Sequence, residues 1–600
     1  MNNKTVLNRN INIIKTDLNA QQQLINILNI NSITADILSK IYNINISNAG
    51  DFINPKLKNL LPNPEILKGM TLGVKHICDA ILNSKKIGIL GDYDVDGVTS
   101  SAMLKLFLNW CGVEPEIIIP DRFKDGYGPS ISLFTKMHAM GIDTIITLDC
   151  GTVAFDPIEY AVNLGMHVVV VDHHISQEKT PDAIAIINPN QISDESDMNY
   201  LCAAGVTFLL CVCINSYLKN IEYFNGKSIP NILNLTHFAM LGSVCDMMKM
   251  VGLNRAFYRT GIEVLRKNLK NIDTLDLQTK SAFIGISALM KSGGIDEISS
   301  TYDVGFVIGP MINAGGRIDS AMIGVNLLTN SNLDEAIILA NKLKHLNQDR
   351  KGIQDEILQD AKQKADLMLA SGKNIIFIIS KDWHEGVIGI VASKIKDLYQ
   401  KPVIIGSISN NSGVEIIKAS CRSIDGIDIG ACVIAAFEEK IILKGGGHKA
   451  AAGFSMKYQN YNKLYDFFEK QLHENITHLA NGVKIDIHCE VSIEQLNDSL
   501  KEIEKLEPFG VGNPRPVFLI KDAILGDYKI LKDIHYRLNI RSKHKILDKY
   551  IWKNAILFNA NERPLGDFVK KHIGKDIKII CNIDFTEYGL SINVLDFVNN

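Results

Sequence analysis

The sequence predicts an α/β protein in which a parallel-sheet domain, a long helix, a smaller α/β domain and a β-rich region follow one another. Three observations support this prediction. Short apolar runs alternate with amphipathic segments over residues 71–250 and again over 373–457, which is the pattern of βαβ units. Residues 329–372 carry Leu, Ala, Lys, Asp and Glu at helical spacing without proline, which predicts one long helix. Residues 484–598 show short strand patterns and basic loops, as in a small barrel.

The predicted domain boundaries follow these changes of pattern. The N-terminal segment is mostly helical and contains a turn-rich stretch over residues 54–64. We place the segments at 1–70 (helical), 71–250 (parallel sheet), 251–372 (helices, ending in the long connecting helix), 373–460 (smaller α/β domain) and 478–600 (β-rich domain).

The composition excludes several classes of protein. A formal net charge of −3 does not indicate a nucleic-acid partner, so any basic surface must be local. The N-terminus lacks the apolar core of a secretory signal, and the apolar runs are too short to cross a membrane. The 11 cysteines are scattered without a C-x-x-C pair, which disfavours disulfides and structural zinc. We expect a cytoplasmic protein without a membrane partner.

Carboxylates follow the first predicted strand, residues 87–90. Asp92, Asp94 and Asp96 alternate on one tight loop, where they repel one another unless cations lie between them. Oxygen ligands of this kind suit Mg²⁺ and Mn²⁺. A calcium-binding loop is the alternative, but Met103 stands where such a loop carries its Glu, and a buried strand precedes the motif.

Similar groups follow two further strands, residues 144–148 and 167–171. The first ends at Asp149 and the second at Asp172-His173-His174, while Asp246 lies in a later apolar segment. One aspartate at a strand end is usually a turn or cap residue. Here successive strands end in aspartates, and parallel strands bring such loops together at one edge of the sheet. The sequence therefore predicts one shared acidic site.

These four motifs resemble the DHH phosphoesterase superfamily, which is named after the Asp172-His173-His174 triplet, and their spacing is most similar to its RecJ branch. The resemblance implies two Mn²⁺ or Mg²⁺ ions, with Asp149 as a bridging ligand. It assigns Asp92 and Asp172 to orienting the ligands and places His174 against the scissile phosphate. The implied metal ligands are Asp94, Asp96, Asp149, His173 and Asp246.

Substrate phosphate is the expected partner of two basic motifs. Arg122 follows a predicted strand at residues 117–119, where it could either pair with a surface acid or bind phosphate. Ser420-Cys421-Arg422 matches a motif of the RecJ branch. By that resemblance, Ser420 and Arg422 join Arg122 in gripping the terminal 5′-phosphate, which would explain exonuclease action and its polarity.

A glycine-rich segment, residues 445–453, is expected to be an anion-binding loop or a flexible turn, because consecutive glycines let backbone N–H groups close on a phosphate. It resembles the DHHA1 domain that accompanies DHH domains. Trp383 could stack a base or pack between domains. The nucleic-acid contacts expected here are Arg317, His384, Gly446, Gly447, His448 and Lys449.

The β-rich region resembles the OB-like domain of the RecJ branch. Residues 528–553 interleave basic side chains with Tyr and Trp, which suits either a groove that tracks a single strand or a solvated strand face over core aromatics.

The resemblance as a whole implies a 5′→3′ exonuclease specific for single-stranded DNA, acting in repair and recombination beside a single-strand binding protein and a helicase. A monomer is expected. Two alternatives stay open: a DHH phosphodiesterase for short RNA or cyclic dinucleotides, and a non-catalytic DNA-binding scaffold descended from a nuclease.

Overall fold

A computed structural model describes the whole chain except residues 1–3, 42–43, 412, 480–482, 544–548, 563, 587–588 and 600. The chain forms two compact units. The larger unit contains Ile13–Asn347 and Ile487–Phe597, and the smaller unit contains Met1–Asn12, Gln348–Asp486 and Val598–Asn600.

The N-terminal segment is mostly helical, as predicted, with one short strand that the sequence did not indicate. That strand, β1, pairs with a later strand, β12 (Lys484–Ile487). The elements are β1 (Asn10–Ile13), α1 (Leu18–Leu28), α2 (Ser32–Ser39), α3 (Ala49–Ile53), α4 (Leu57–Leu60) and α5 (Met70–Leu82).

A five-stranded parallel sheet, of order β3-β2-β4-β5-β6, forms the centre of the larger unit. Strands β2, β4 and β5 have the predicted bounds, β3 begins one residue earlier than predicted, and β6 was not predicted. The elements are β2 (Ile87–Leu90), α6 (Val95–Trp110), β3 (Glu116–Ile118), α7 (Ile131–Ala139), β4 (Thr144–Leu148), α8 (Phe155–Asn163), β5 (His167–Val171), β6 (Ala185–Ile187) and α9 (Ala203–Asn220).

Helices cover both faces of this sheet, because successive strand residues point to opposite sides. Ile146 and Val169 pack in the core beneath α5, α6 and α9, whereas Ile145 and Val168 pack beneath α7 and α8. Helix α9 is long and apolar enough to span a membrane by length and composition alone, but 67% of it is buried inside the protein. Its composition is therefore that of a core helix.

Helices make up the rest of the larger unit up to the long connecting helix, as predicted. Helix α15 has 38 residues, and the boundary between the two units falls within it. The elements are α10 (Thr236–Cys245), α11 (Gly252–Lys270), α12 (Leu277–Gly293), a π-helix (Asp303–Ile308), α13 (Gly309–Ile318), α14 (Met322–Leu328) and α15 (Leu333–Ala370).

The smaller unit contains a mixed five-stranded sheet of order β10-β11-β9-β8-β7. The loop or turn expected over most of the glycine-rich segment is instead an edge strand, because Lys444–His448 pairs with Ala451–Lys457. A Cβ at Gly447 would lie 2.4 Å from the Ala452 Cα, so glycine is needed for this close pairing. The elements are β7 (Ile376–Ser380), α16 (Ile388–Tyr399), β8 (Val403–Asn411), β9 (Val414–Arg422), α17 (Ile429–Glu438), β10 (Lys444–His448), β11 (Ala451–Lys457), α18 (Tyr461–Leu479) and β12 (Lys484–Ile487).

The C-terminal region is a β-barrel, as predicted. Its strands follow the order β13-β14-β15-β16-β18-β17, and pairing of β14 with β17 closes the sheet. Lys545, which belongs to the predicted basic stretch, lies outside the described residues. The elements are β13 (Cys489–Val491), β14 (Phe518–Leu531), β15 (His535–Lys543), β16 (Tyr550–Leu557), α19 (Pro564–Lys571), β17 (Asp576–Thr586) and β18 (Gly589–Phe597).

Candidate metal centre

The loop after β2 begins the acidic site. Asp94 caps helix α6, since its Oδ1 accepts hydrogen bonds from the backbone N–H groups of Asp96 (2.9 Å) and Gly97 (3.1 Å). Asp96, in the first turn of the helix, is fully buried. Its carboxylate accepts hydrogen bonds from the N–H groups of Ala203 (2.7 Å) and Ala204 (2.9 Å) at the start of α9, where the helix dipole favours negative charge.

Asp149 follows β4 on a sharp turn. Its backbone has a left-handed conformation with φ of 63°, which is rare for a residue other than glycine and costs free energy that the surrounding fold must offset. The Oδ1 atoms of Asp149 and Asp92 are buried and receive no hydrogen bond from the residues that the structure describes. Two buried, unsatisfied carboxylate oxygens of this kind indicate that a cation belongs there.

Asp172 holds the two histidines in place. Its Oδ1 accepts the His173 and His174 N–H groups and lies 2.8 Å from His174 Nδ1, while its Oδ2 accepts the Thr152 N–H group. These bonds engage both oxygens, which agrees with the predicted orienting role. Two asparagines after β6 complete the support, because the side chain of Asn190 donates to His173 O and that of Asn188 to His174 O.

Asp246 ends helix α10 and completes the acidic group. His173 Nε2 lies 3.2 Å from Asp149 Oδ1, 3.5 Å from Asp246 Oδ2 and 3.7 Å from Asp96 Oδ2. Three sets of side chains each bring their ligand atoms within 4.8 Å of one another: Asp92, Asp94 and Asp149; Asp96, His173 and Asp246; and Asp149, His173 and His174. All five predicted ligands therefore meet, and the geometry also admits Asp92.

The electrostatics of this group call for positive charge. Burial and the neighbouring carboxylates raise the pKa of Asp149 well above its ordinary value, and they raise the pKa of Asp246 to about 8. Burial lowers the pKa of His173, which keeps its ring neutral and able to bind a metal. Buried, mutually repelling oxygens beside a neutral imidazole form the donor set that Mn²⁺ and Mg²⁺ accept, so these residues fit the implied ions.

Family models match three separate parts of the chain. Residues 86–240 match the N-terminal domain of the DHH family, residues 372–474 match the DHHA1 domain, and residues 487–594 match the RecJ OB domain. The single-stranded-DNA-specific exonuclease RecJ of Haemophilus influenzae is 30% identical over 540 residues, covering 88% of this chain and 90% of the relative. The protein belongs to the RecJ family.

Another relative and two solved structures are also similar to this chain. RecJ of Escherichia coli is 29% identical, covering 82% of this chain and 85% of that relative. The structure of Thermus thermophilus RecJ in complex with Mn²⁺ matches the fold with a TM-score of 0.78 at 22% identity, covering 98% of this chain and 79% of that one. A manganese-bound exonuclease RecJ matches with a TM-score of 0.56 at 26% identity, covering 69% and 98%.

Two tyrosines that sequence reasoning did not select border the metal centre of this RecJ family member. The Tyr127 hydroxyl donates to Asp149 O at 3.0 Å, and its oxygen lies 3.2 Å from His174 Nδ1. The guanidinium of Arg122 lies over the Tyr93 ring at 4.9 Å from its centroid. Arg122 is thus held beside the Asp92 loop, and no acid among the residues that the structure describes forms an ion pair with it. The G-Y-G sequence around Tyr127 was the available signal, but nothing in it indicated that His174 would be its neighbour.

The Ser420-Cys421-Arg422 motif of the smaller unit forms a compact cluster. Arg422 donates from Nη1 to Ser420 Oγ and from Nε to Ser393 Oγ, both at 3.0 Å. A Cβ at Gly389 would lie 3.0 Å from Ser420 Oγ, so a glycine at this position lets helix α16 approach the cluster closely. His384, just before α16, accepts the Gly386 N–H group on Nδ1.

The remaining predicted contacts differ in their surroundings. Base stacking by Trp383 is wrong, because its ring is only 6% exposed and its Nε1 donates to Asp360 on helix α15. His448 and Lys449 are exposed at the end of β10 and in the turn after it, with Gly446 and Gly447 exposed in the strand.

In the barrel, Arg541 lies 4.5 Å from the ring centroid of Tyr550 and 5.1 Å from that of Trp552, and both rings are about half exposed.

Proposed function

We propose that this chain is an exonuclease that hydrolyses single-stranded DNA from the 5′ end, with two divalent cations, Mn²⁺ or Mg²⁺, as cofactors. The observation that carries the proposal is the buried carboxylate group around His173, present in full in a member of the RecJ family. A scaffold descended from a nuclease would have no reason to keep this group, because the repulsion among its members costs stability.

Metal binding is assigned to Asp94, Asp96, Asp149, His173 and Asp246. When bound, the ions supply positive charge to the phosphate and acidify water for in-line attack. Asp149 is the candidate bridging ligand, since its carboxylate belongs to two of the three sets of ligand atoms. Asp172 and Asp92 orient these groups, and Asp96 is pre-positioned by the N-terminus of α9.

His174 is proposed to contact the scissile phosphate. Burial would lower the pKa of His174, but its hydrogen bond with Asp172 outweighs this and raises the pKa to about 9. Because Nδ1 is engaged by Asp172, the Nε2–H group is the one available to a phosphate oxygen. The ring is 38% exposed, whereas that of His173 is 10% exposed, so His174 is the more accessible of the two.

Substrate selection is assigned to separate groups in each unit. Arg122 in the larger unit and Ser420 with Arg422 in the smaller unit are proposed ligands of the terminal 5′-phosphate, because guanidinium groups bind phosphate in bidentate fashion. Arg317, His384, Gly446, Gly447, His448 and Lys449 are proposed nucleic-acid contacts. The cationic and half-exposed aromatic surface around Arg541 suits a single strand without sequence preference.

The cellular role is proposed from the same activity. A nuclease of this specificity needs unwound DNA, which a helicase supplies and a single-strand binding protein coats. We propose a cytoplasmic monomer that acts in DNA repair and recombination.

The experiment uses 5′-labelled and 3′-labelled single strands, each beside its duplex, with Mn²⁺ or EDTA. Immediate release of the 5′ label from single strands only, blocked by EDTA, is expected. Asp149→Asn is expected to reduce kcat at least a hundredfold, whereas Asp182→Asn, an exposed loop change in the same unit, leaves it unchanged. Release of the 3′ label first would overturn the roles of Arg122, Ser420 and Arg422. Cleavage of short RNA or cyclic dinucleotides in preference to DNA, or binding without cleavage, would overturn the proposed function.

A further inference from the structure

Two aromatic rings stack on each other in solvent within the helical region of the larger unit. Tyr302 and Phe306 have ring centroids 4.9 Å apart and an interplanar angle of 15°. Tyr302 is 58% exposed and Phe306 is 68% exposed. Large aromatic side chains are normally buried for the apolar area that they remove from water, so an exposed parallel pair is a candidate binding surface.

The backbone explains why these rings face outward. Pro310 has no N–H group to donate to the preceding turn, and the helix widens to a π-helix over Asp303–Ile308 before α13 begins. Val304 and Ile308 fill the core, and Val304 O lies 3.7 Å from Cys245 Sγ on α10. Tyr302 and Phe306 lie two residues before Val304 and Ile308, respectively, and therefore point to the outer side of the helix.

The outer side of this helix leads to the metal centre. Over residues 302–317 the side chains that keep some exposure include Tyr302, Phe306, Pro310, Asn313 and Arg317, which recur at spacings of four, four, three and four residues and so share one face. At its far end, a Cβ at Gly316 would lie 2.6 Å from Tyr93 O, so the helix abuts the loop that carries Asp92 and Asp94. From Phe306 to Arg317 the helix rises about 16 Å.

We infer that the Tyr302–Phe306 pair is a stacking site for one nucleobase of the single-stranded substrate, on the 3′ side of the phosphate that is cleaved. The inference rests on the proposed function and adds a site to it. A base has a flat apolar face whatever its identity, so the pair would bind without sequence preference. At the 3.4 Å spacing of stacked nucleotides, 16 Å corresponds to about five nucleotides, and to fewer in an extended strand.

The site is tested with the full chain and a 12-nucleotide single strand carrying 2-aminopurine at one position at a time, from the second to the eighth nucleotide. In EDTA, which prevents cleavage, we expect fluorescence quenching within a narrow window between the third and sixth nucleotides. The double variant Tyr302→Ala/Phe306→Ala should lose this window and, in Mn²⁺, show a KM for the 12-mer about tenfold higher with kcat unchanged. Tyr302→Phe should retain both properties.

Phe437→Ala serves as the matched control, since Phe437 is also a half-exposed helical aromatic, on α17 of the smaller unit. The inference is overturned if the double variant keeps the quenching window and the KM of the unmodified chain, or if Phe437→Ala has the same effect. Failure of the proposed function would look different: the unmodified chain would quench 2-aminopurine and yet cleave no strand in Mn²⁺.

Discussion

At the scale of single residues, Asp149 and Asp172 show how surroundings divide roles between identical side chains. Both are fully buried, which alone would raise the pKa of each carboxyl group. Four further acids around Asp149 raise its pKa still more, whereas hydrogen bonds from His174 and Thr152 hold the pKa of Asp172 below its ordinary value. The negative charge of Asp172 is therefore balanced within the protein by His174, whereas the charge of Asp149 needs a bound cation.

Tyr127 links Asp149 to His174, the hydrogen-bond partner of Asp172, which makes it a testable positioning residue. Its hydroxyl donates to Asp149 O and lies beside His174 Nδ1. Tyr127→Phe removes these bonds and keeps the ring. Since one hydrogen bond contributes about 1 kcal/mol, we expect kcat on single-stranded DNA to fall about fivefold to tenfold with little change in KM.

The control for this change is Tyr160→Phe, which removes a hydroxyl that contacts Thr135 on the outside of the same domain. Steady-state kinetics on the 5′-labelled strand measure both variants. An unchanged kcat for Tyr127→Phe, or equal losses in the two variants, would refute the positioning role.

Sequence reasoning selected the acidic residues and the histidines that the structure brings together, but not the residues that hold them in place. Asp94, Asp149, His173 and Asp246 stand out because their motifs recur at the ends of apolar runs. Asn188 and Asn190 are ordinary in the sequence, since N-P-N after a short apolar run predicts only a turn. Their contacts with His173 and His174 depend on the pairing of β5 with β6, and that pairing is decided by tertiary structure.

At the scale of elements, apolar runs predicted the strands well, whereas the glycine-rich segment was wrongly predicted to be a loop or turn. Strands β2, β4 and β5 are continuous apolar segments buried on both faces of the sheet. The ends of each strand can therefore be located from the sequence. Strand β10 contains three consecutive glycines and is exposed throughout, so its own residues favour a loop. It is a strand because β11 offers an edge to pair with and because Gly430 on α17 lies close to its end.

Arg255 on helix α11 ties three elements of the larger unit together. Only 1% exposed, it donates to the carbonyl oxygens of Phe52, Leu506, Glu507 and Pro508, and its guanidinium lies 3.6 Å from the centroid of the Phe52 ring. It thus joins the N-terminal segment and the entry to the barrel to the helical region of the larger unit. Arg255→Met should lower the free energy of unfolding by about 3 kcal/mol or more, because buried carbonyl groups lose their donors.

Arg266→Met is the control on the same helix, since Arg266 forms an exposed ion pair with Glu297 and should change stability by less than about 1 kcal/mol. Urea unfolding measures both variants. Arg255→Lys tests geometry, because an ammonium group cannot reach all four carbonyl oxygens and should be nearly as destabilising as Met. Equal effects of Arg255→Met and Arg266→Met on the free energy of unfolding would contradict the proposed role of Arg255 in joining these elements.

At the scale of the whole molecule, the acidic group makes the stability of the larger unit depend on its cofactor. Five carboxylates and His173 are held together by β2, β4, β5, α6, α9 and α10, so the sheet domain must fold against their mutual repulsion. Cations that bind only the folded chain reverse this penalty by mass action. The same residues that limit the stability of the metal-free protein are those that should stabilise the loaded one.

The acidic residues should thus destabilise the metal-free protein and stabilise the metal-bound protein, and this difference gives the final prediction. At a Mn²⁺ concentration of about 100 times the Kd, one bound ion should raise the free energy of unfolding by about 2.7 kcal/mol. Asp149→Asn should abolish most of this increase, yet in EDTA it should be as stable as the unmodified chain or more so, because it removes a buried like charge. Asp182→Asn should behave as the unmodified chain in both conditions. Urea unfolding with and without Mn²⁺ distinguishes the outcomes: loss of stability in EDTA would make Asp149 a structural residue, and an undiminished response to Mn²⁺ would place the ions elsewhere.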